Sequence, residues 1–267
     1  LIDVLLVGGK GNIGAGLRTY LPKLDPEYRV SAIDLEDAQD KTADSEDRQE
    51  FIYLDVVEDE AGFRGALEGR DLVVYLAQKR DLGEMNAMTD CVFRVVMEVC
   101  PEAMMVGSSS VHATGSAYVP FDKEPYKTIA AREFDKLETW PDPLPATLPS
   151  CPWSDYGLAK SYVEAWCRRF AANGHSAVAA RWGGINARNA NREETAYFSV
   201  WCHQEDAARF VDCAYKAHRN GTLPSGAHYY VISNNTYNIF DIETPKREIG
   251  YAPVYDAETS FAGDLGS

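Results

Sequence analysis

Tyr156 and Lys160 stand four residues apart in the stretch WSDYGLAKSYVEAW, 153–166. On a helix that spacing puts both side chains on one face. A phenol is a poor base at its usual pKa of about 10, and a nearby ammonium favours the phenolate. Bringing a tyrosine down to about 7 takes roughly 4 kcal/mol. One close lysine, aided by a cationic ring in a partly dry site, is a plausible source of that energy. The pair could then take the proton of a C–OH group as hydride leaves the carbon, with the lysine also holding ribose hydroxyls. The same two residues occur by chance on many surface helices, so the rest of the chain decides. A third group must bind the reacting hydroxyl. Ser109 and Ser110 end a strand-like run, at the edge where open α/β sheets bind ligands. Turn chemistry alone would also explain two serines there. Ser110 is the preferred partner of the Tyr/Lys pair.

Gly8, Gly11 and Gly14 form a G-x-x-G-x-x-G pattern in GGKGNIG. The first glycine permits a sharp turn, the second lets backbone approach a pyrophosphate, and the third lets helix and strand pack closely. With Asn12 and Ile13 the loop opens a helix whose free N–H groups attract phosphate. A glycine trio alone could be a tight turn. Its place between a first strand and a first helix favours the dinucleotide reading. Asp34 ends the second strand, about 20 residues further on, where a carboxylate accepts the adenine ribose hydroxyls and repels a 2′-phosphate. NAD is therefore expected over NADP; the plainer role for Asp34 is capping the next turn. Asp55 and Val56 end the third strand, where the Asp side chain would meet the adenine edge. Leu76, Ala77 and Gln78 end the fourth, and a small residue there leaves room for ribose and pyrophosphate.

These residues need a frame. Apolar runs predict strands over 2–9, 28–34, 51–56, 71–77, 103–110, 176–182 and 227–233. Helical periodicity predicts helices over 12–21, stopped by Pro22, and over 58–69, closed by Gly69. Further helices are expected over 83–100, from Asp155 to Gly174, around 205–219 and near 245–249. Residues 35–50 and 183–195 read as polar loops. Residues 115–152 are irregular and hold seven of the thirteen prolines. A segment of that length inside a compact domain is usually functional or disordered. Strands alternating with helices predict an α/β fold with a doubly wound parallel sheet, a Rossmann fold. The expected organisation is one domain over 1–267. Residues 1–115 form its nucleotide half, and 116–152 with 183–267 form a small substrate lobe.

The chain is 45% apolar and 25% charged, as an ordinary globular domain is. No apolar run approaches the roughly 18 residues a membrane span needs, and the start lacks the basic region of a signal peptide. No membrane partner is expected. The net charge of −15 argues against nucleic acid, which requires a basic face. Arginine outnumbers lysine, 16 to 10. An acidic, lysine-poor surface fits a halophilic protein, whose stability should rise with salt. The cysteines at 91, 100, 151, 167, 202 and 213 lack zinc or redox spacing. They read as reduced, mostly buried thiols of a cytoplasmic protein, with no metal site.

Together, GGKGNIG, Asp34, Asp55, YLAQ, Asn86, SSVHATG and YGLAK resemble the extended short-chain dehydrogenase/reductase superfamily over residues 4–160. Within it the chain is most similar to the uronate dehydrogenases and the related haloarchaeal NAD-dependent glucose-6-phosphate dehydrogenases. SSVHATG (109–115) matches their Ser-Ser-Asn-His segment with Val111 in place of Asn. RWGG (181–184), WCHQED (201–206) and EIGYAP (248–253) match three further segments, and the short chain agrees. The resemblance implies oxidation of a sugar at its anomeric carbon to a lactone, with NAD as cofactor and Ser110, Tyr156 and Lys160 as catalytic residues. It implies that Ser110, Val111 and His112 line the sugar pocket. It places Gly184 at a substrate-contacting position and Arg80 where relatives carry a substrate-contacting Ser. An arginine after RWGG would grip a carboxylate; the loop offers Arg188 and Arg192, with Arg192 better placed. Two pocket polar groups are lost and one cation is gained, which points to a sugar other than a simple uronate, including an anionic one. By analogy the resemblance also implies a helix-paired homo-oligomer. The alternative activity is a nucleotide-sugar epimerase or dehydratase with tightly held NAD.

Overall fold

The computed structural model describes residues 1–41 and 51–260. Seven parallel strands form one sheet: β1 (Ile2–Val7), β2 (Tyr28–Asp34), β3 (Phe51–Tyr53), β4 (Leu72–Tyr75), β5 (Met104–Ser110), β6 (Ala177–Trp182) and β7 (His228–Val231), in the order β3-β2-β1-β4-β5-β6-β7. The order reverses between β1 and β4, and ligands of open parallel sheets bind in the crevice at that switch point. The expected Rossmann architecture is the observed one. Side chains alternate along β1. Leu5 and Val7 enter one apolar cluster, Val4 and Leu6 the other.

Two helical layers cover the sheet. Helices α1 (Asn12–Leu24) and α7 (Gln204–Arg219) bury Leu17, Leu21, Phe210 and Val211 on one face. Helices α2 (Glu60–Leu67), α3 (Leu82–Val99) and α5 (Asp155–Ala172) bury Phe63, Val92, Phe93, Val163 and Phe170 on the other. A third apolar cluster joins Val111, Tyr118, Ile129, Trp201, Tyr230 and Phe240. It packs the irregular segment after β5 against segments that follow β6 and β7.

The structure revises several expectations. Pro22 does not stop α1, because it falls in the last turn and removes only one hydrogen bond. The Asp25 amide still reaches the Leu21 carbonyl at 3.0 Å. The segment 115–152 contains short turns of helix: a 3₁₀ turn at Val111–Ala117, helix α4 (Tyr126–Ala130) and another 3₁₀ turn at Phe134–Lys136. Beyond the polar loop lies a one-turn helix α6 (Tyr197–Val200), and α8 (Glu243–Ile249) follows β7. The expected loop over 35–50 lies partly outside the described residues. All six cysteines are free thiols, four buried and two half-buried. Among the described residues no helix is long and apolar enough to cross a membrane.

Candidate active site

A cleft of about 790 Å³ runs along the carboxyl ends of the central strands. Every candidate site residue except Arg80 and Arg188 lines it. At one end the glycine loop meets β2. Gly8 has φ +94°, and a Cβ there would lie 2.4 Å from the Ala77 amide nitrogen, so the turn folds tightly over the end of β4. The Leu76 and Ala77 amides both donate to the Val7 carbonyl at 2.7 Å. Gly11 is the N-cap of α1, makes no side-chain cap and faces open space. The first amides of α1 therefore point at the cleft without a competing side chain, as an anion site requires.

Asp34 ends β2. Its carboxylate accepts the Lys10 amide at 2.7 Å and the Leu35 amide at 2.9 Å, which fixes its orientation and leaves lone pairs toward the cleft. Lys10 is buried and also lines the cleft. Its ammonium donates to the carbonyls of Leu35 and Glu36, at 2.8 Å each. It lies 4.8 Å from the centre of the Tyr53 ring. Sequence reading passed over this lysine, although its position inside the glycine loop was the available signal. Asp55 lines the cleft and is also held by protein groups. One oxygen pairs with the Lys79 ammonium at 2.9 Å, and the other accepts the Val57 amide at 2.9 Å. Burial opposes its ionisation, but Lys79 and those amides hold the carboxyl below its ordinary value. The Val56 amide has no partner among the described residues and remains for a base edge.

The other end is set by α5 packing tightly on β5. A Cβ on Gly107 would lie 2.6 Å from the Cys167 sulfur, and one on Gly157 would lie 2.4 Å from the His112 carbonyl. These two glycines let the helix close onto the strand and the following turn. The three serines of β5 then take different roles. Ser108 accepts the Trp182 indole at 2.9 Å, and Ser109 donates to Glu164 at 2.7 Å. Ser110 accepts the His112 amide at 3.2 Å and lies close enough to Tyr156 for its hydroxyl to favour the phenolate. His112 lies edge-on to Tyr156 at 5.7 Å.

Lys160 is 3% exposed, and its ammonium lies 5.3 Å from the centre of the Tyr156 ring. No hydrogen bond or ion pair holds it among the described residues, and burial lowers its pKa to about 8. Tyr156 is 38% exposed. Burial raises its pKa above the ordinary 10, against the Ser110 hydroxyl, which lowers it. The expected lowering by Lys160 is thus absent in the protein alone, because desolvation disfavours both phenolate and ammonium. Underneath, Glu164 and Arg181 form a fully buried ion pair at 2.8 Å.

The substrate candidates are only partly brought together. Val111 is buried in the third cluster and presents only apolar surface. Gly184 offers no free polar group. Its amide donates to the Val200 carbonyl and its carbonyl accepts the Cys202 amide. A Cβ there would lie 2.4 Å from the Tyr197 ring, so the glycine, itself in the cleft wall, makes room for Tyr197 beside it. Arg192 is half-exposed on the rim, 3.3 Å from Glu194. Arg80 is exposed and lies outside the main cleft, in an adjoining hollow of about 200 Å³ that shares Tyr156 and Lys160. Tyr118, Phe121 and Tyr197 line the cleft and were not anticipated, since they come from segments without periodicity.

Among the described residues, the buried Lys160 ammonium without a partner, the uncapped start of α1 and the unbonded Val56 amide suit ribose hydroxyls, a pyrophosphate and a purine edge. The residues present therefore fit a dinucleotide. Comparison with known proteins agrees. Residues 4–196 match the model of the NAD dependent epimerase/dehydratase family. A NAD-dependent glucose-6-phosphate dehydrogenase of Haloferax volcanii is 26% identical over 98% of this chain and 97% of its own length. The structure of uronate dehydrogenase from Agrobacterium tumefaciens superposes with a TM-score of 0.72 at 17% identity, covering 97% of this chain and 86% of that one. A dTDP-glucose 4,6-dehydratase from Bacillus anthracis, in complex with NAD, gives 0.71 at 14% identity, covering 97% and 94%.

Proposed function

We propose that this chain, which belongs to the NAD dependent epimerase/dehydratase family, is a NAD-dependent sugar dehydrogenase oxidising an anomeric hydroxyl to a lactone. The substrate class is an aldose, a uronate or a sugar phosphate. The observation that carries the reading is the convergence of Ser110, Tyr156 and Lys160 at one end of the cleft that Asp34 and the glycine loop close at the other. NAD, when bound, supplies the hydride acceptor. Ser110 holds the reacting hydroxyl beside Tyr156, whose phenolate oxygen takes its proton. Lys160 positions the cofactor ribose and keeps its charge next to the phenol. Asp34 accepts ribose hydroxyls and selects NAD against NADP. Residues 1–115 are the nucleotide half, and 116–152 with 183–267 the substrate lobe; the third apolar cluster supports that division.

The full-length similarity to a sugar dehydrogenase supports this activity over epimerisation. A panel of aldoses, uronic acids and sugar phosphates, followed by NADH absorbance, tests it. NADH formation with at least one is expected, and no turnover with any of them refutes it. The nucleotide-sugar reading draws on the dehydratase likeness. NAD retained through purification, with turnover of a nucleotide sugar, would establish that reading instead.

A further inference from the structure

Tyr118 follows the 3₁₀ turn after β5. Its ring packs edge-on against Phe121, Tyr126 and Phe240, at centroid distances of 5.5, 6.5 and 5.4 Å. The residue is only 4% exposed, yet it forms part of the cleft wall that also includes Ser110, His112 and Tyr156. Its hydroxyl has no hydrogen-bond partner among the described residues. Buried hydroxyls are nearly always satisfied, so this one needs an explanation. Other buried tyrosines follow the rule. The Tyr230 hydroxyl lies 3.0 Å from Thr114, Tyr75 lies 3.0 Å from Thr89, and Tyr251 donates to the Ile232 carbonyl at 2.8 Å. Burial first, then Tyr230, Tyr156 and Cys151, raise the Tyr118 pKa, so the group stays a donor with acceptor lone pairs. Val111, in the same stretch of wall, supplies no hydrogen bond from its side chain.

We propose that Tyr118 is a sugar-binding residue: its hydroxyl, sealed in the wall of the empty cleft, is uncovered by a small shift of that wall on loading and hydrogen-bonds a ring hydroxyl of the carbohydrate presented to Tyr156. The proposal rests on the sugar dehydrogenase reading. A site with a buried hydroxyl awaiting a partner rejects the analogue that lacks that partner, because the protein group is then left unpaired.

The test is Tyr118→Phe, which keeps the ring and removes an oxygen that no described residue holds. Cofactor-free thermal stability should be unchanged or higher, and the NAD Kd should stay within about two-fold. The kcat/KM for the best carbohydrate should fall on the order of 5- to 10-fold, mostly through KM. Among singly deoxygenated sugars, one should be turned over equally by the two proteins. An unchanged kcat/KM, in a background where the parent oxidises the sugar, overturns the assignment and leaves the activity standing. A lower melting temperature accompanying the loss marks a structural hydroxyl, and weakened NAD binding marks a cofactor contact; either overturns it. A parent protein that oxidises no carbohydrate removes the activity itself, and this assignment with it.

Discussion

Replacing Lys160 should make the cofactor-free protein more stable, although the residue is assigned to the chemistry. Its ammonium is almost fully buried without a partner among the described residues, and its pKa is lowered to about 8 from an ordinary 10.5. Between those values the unfolded chain binds more protons than the folded one, so this group makes stability rise with pH through that window. Below about pH 8 the lysine is charged in both states and its destabilisation is complete. The gap, at 1.36 kcal/mol per pH unit, is about 3 kcal/mol. Lys160→Met keeps the length of the side chain and removes the charge. At pH 7 the variant should exceed the parent by up to about 3 kcal/mol. Near pH 9.5 the parent has recovered roughly 2 kcal/mol, so the advantage should shrink to about 1. Urea denaturation of both proteins without cofactor, at both pH values and with equal m-values, measures this; comparing the two proteins cancels the titration of every other group. Saturating NAD should stabilise the parent more than the variant, because only the parent offers an ammonium to the ribose. A variant no more stable at pH 7, or an advantage that does not change with pH, refutes the claim that Lys160 is buried as an unpaired cation.

Three further outcomes are expected. Tyr156→Phe should lower turnover by about 100- to 10,000-fold while leaving NAD affinity nearly intact; because burial raises the Tyr156 pKa, the parent's kcat/KM should climb with pH through the neutral range, and that limb should vanish in the variant. Asp34→Ala should raise the ratio of kcat/KM for NADP to that for NAD, since it removes the carboxylate held by the Lys10 and Leu35 amides; an unchanged ratio counts against the ribose role. Glu164→Ala strands the fully buried Arg181 guanidinium and should cost about 3–5 kcal/mol in a denaturation titration, whereas the double change Glu164→Leu with Arg181→Met should be far milder.

Much of the nucleotide half was legible because its signals are local. The limits of β2 follow from an apolar run between turn residues, and the place of Gly11 follows from the spacing of the loop. Pro22 was misread because a proline in the last turn of a helix breaks little. The substrate end was less legible because its geometry comes from contacts distant in sequence. The role of Gly184 depends on Tyr197, thirteen residues later, whose ring occupies the space a side chain would need. The separation of Arg80 from the main cleft depends on how the end of β4 meets α5. Tyr118 lies in a stretch with no period to read. Its distinguishing property, a missing partner, cannot be seen before the chain is folded.

The geometry also bears on when the site is competent. In the protein alone, burial moves Tyr156 and Lys160 in opposite directions, each toward its uncharged form. A phenol pushed above 10 offers less phenolate at neutral pH than free tyrosine does, so proximity of the two side chains does not by itself supply a base. What the fold supplies is a dry recess, closed by α5 seating on β5 at Gly107 and on the following turn at Gly157. In such a recess a small number of added charges and hydrogen bonds have large effects, because little water screens them. On the proposed mechanism, a ligand whose hydroxyls accept hydrogen bonds from Lys160 holds its ammonium in place, and an ammonium held beside the phenol favours the phenolate. Under the proposed mechanism the phenolate fraction at Tyr156 would therefore follow occupancy of the nucleotide end. The instability predicted for Lys160 in the empty protein and the reactivity proposed for Tyr156 in the loaded one would share one physical origin, the burial of a charge.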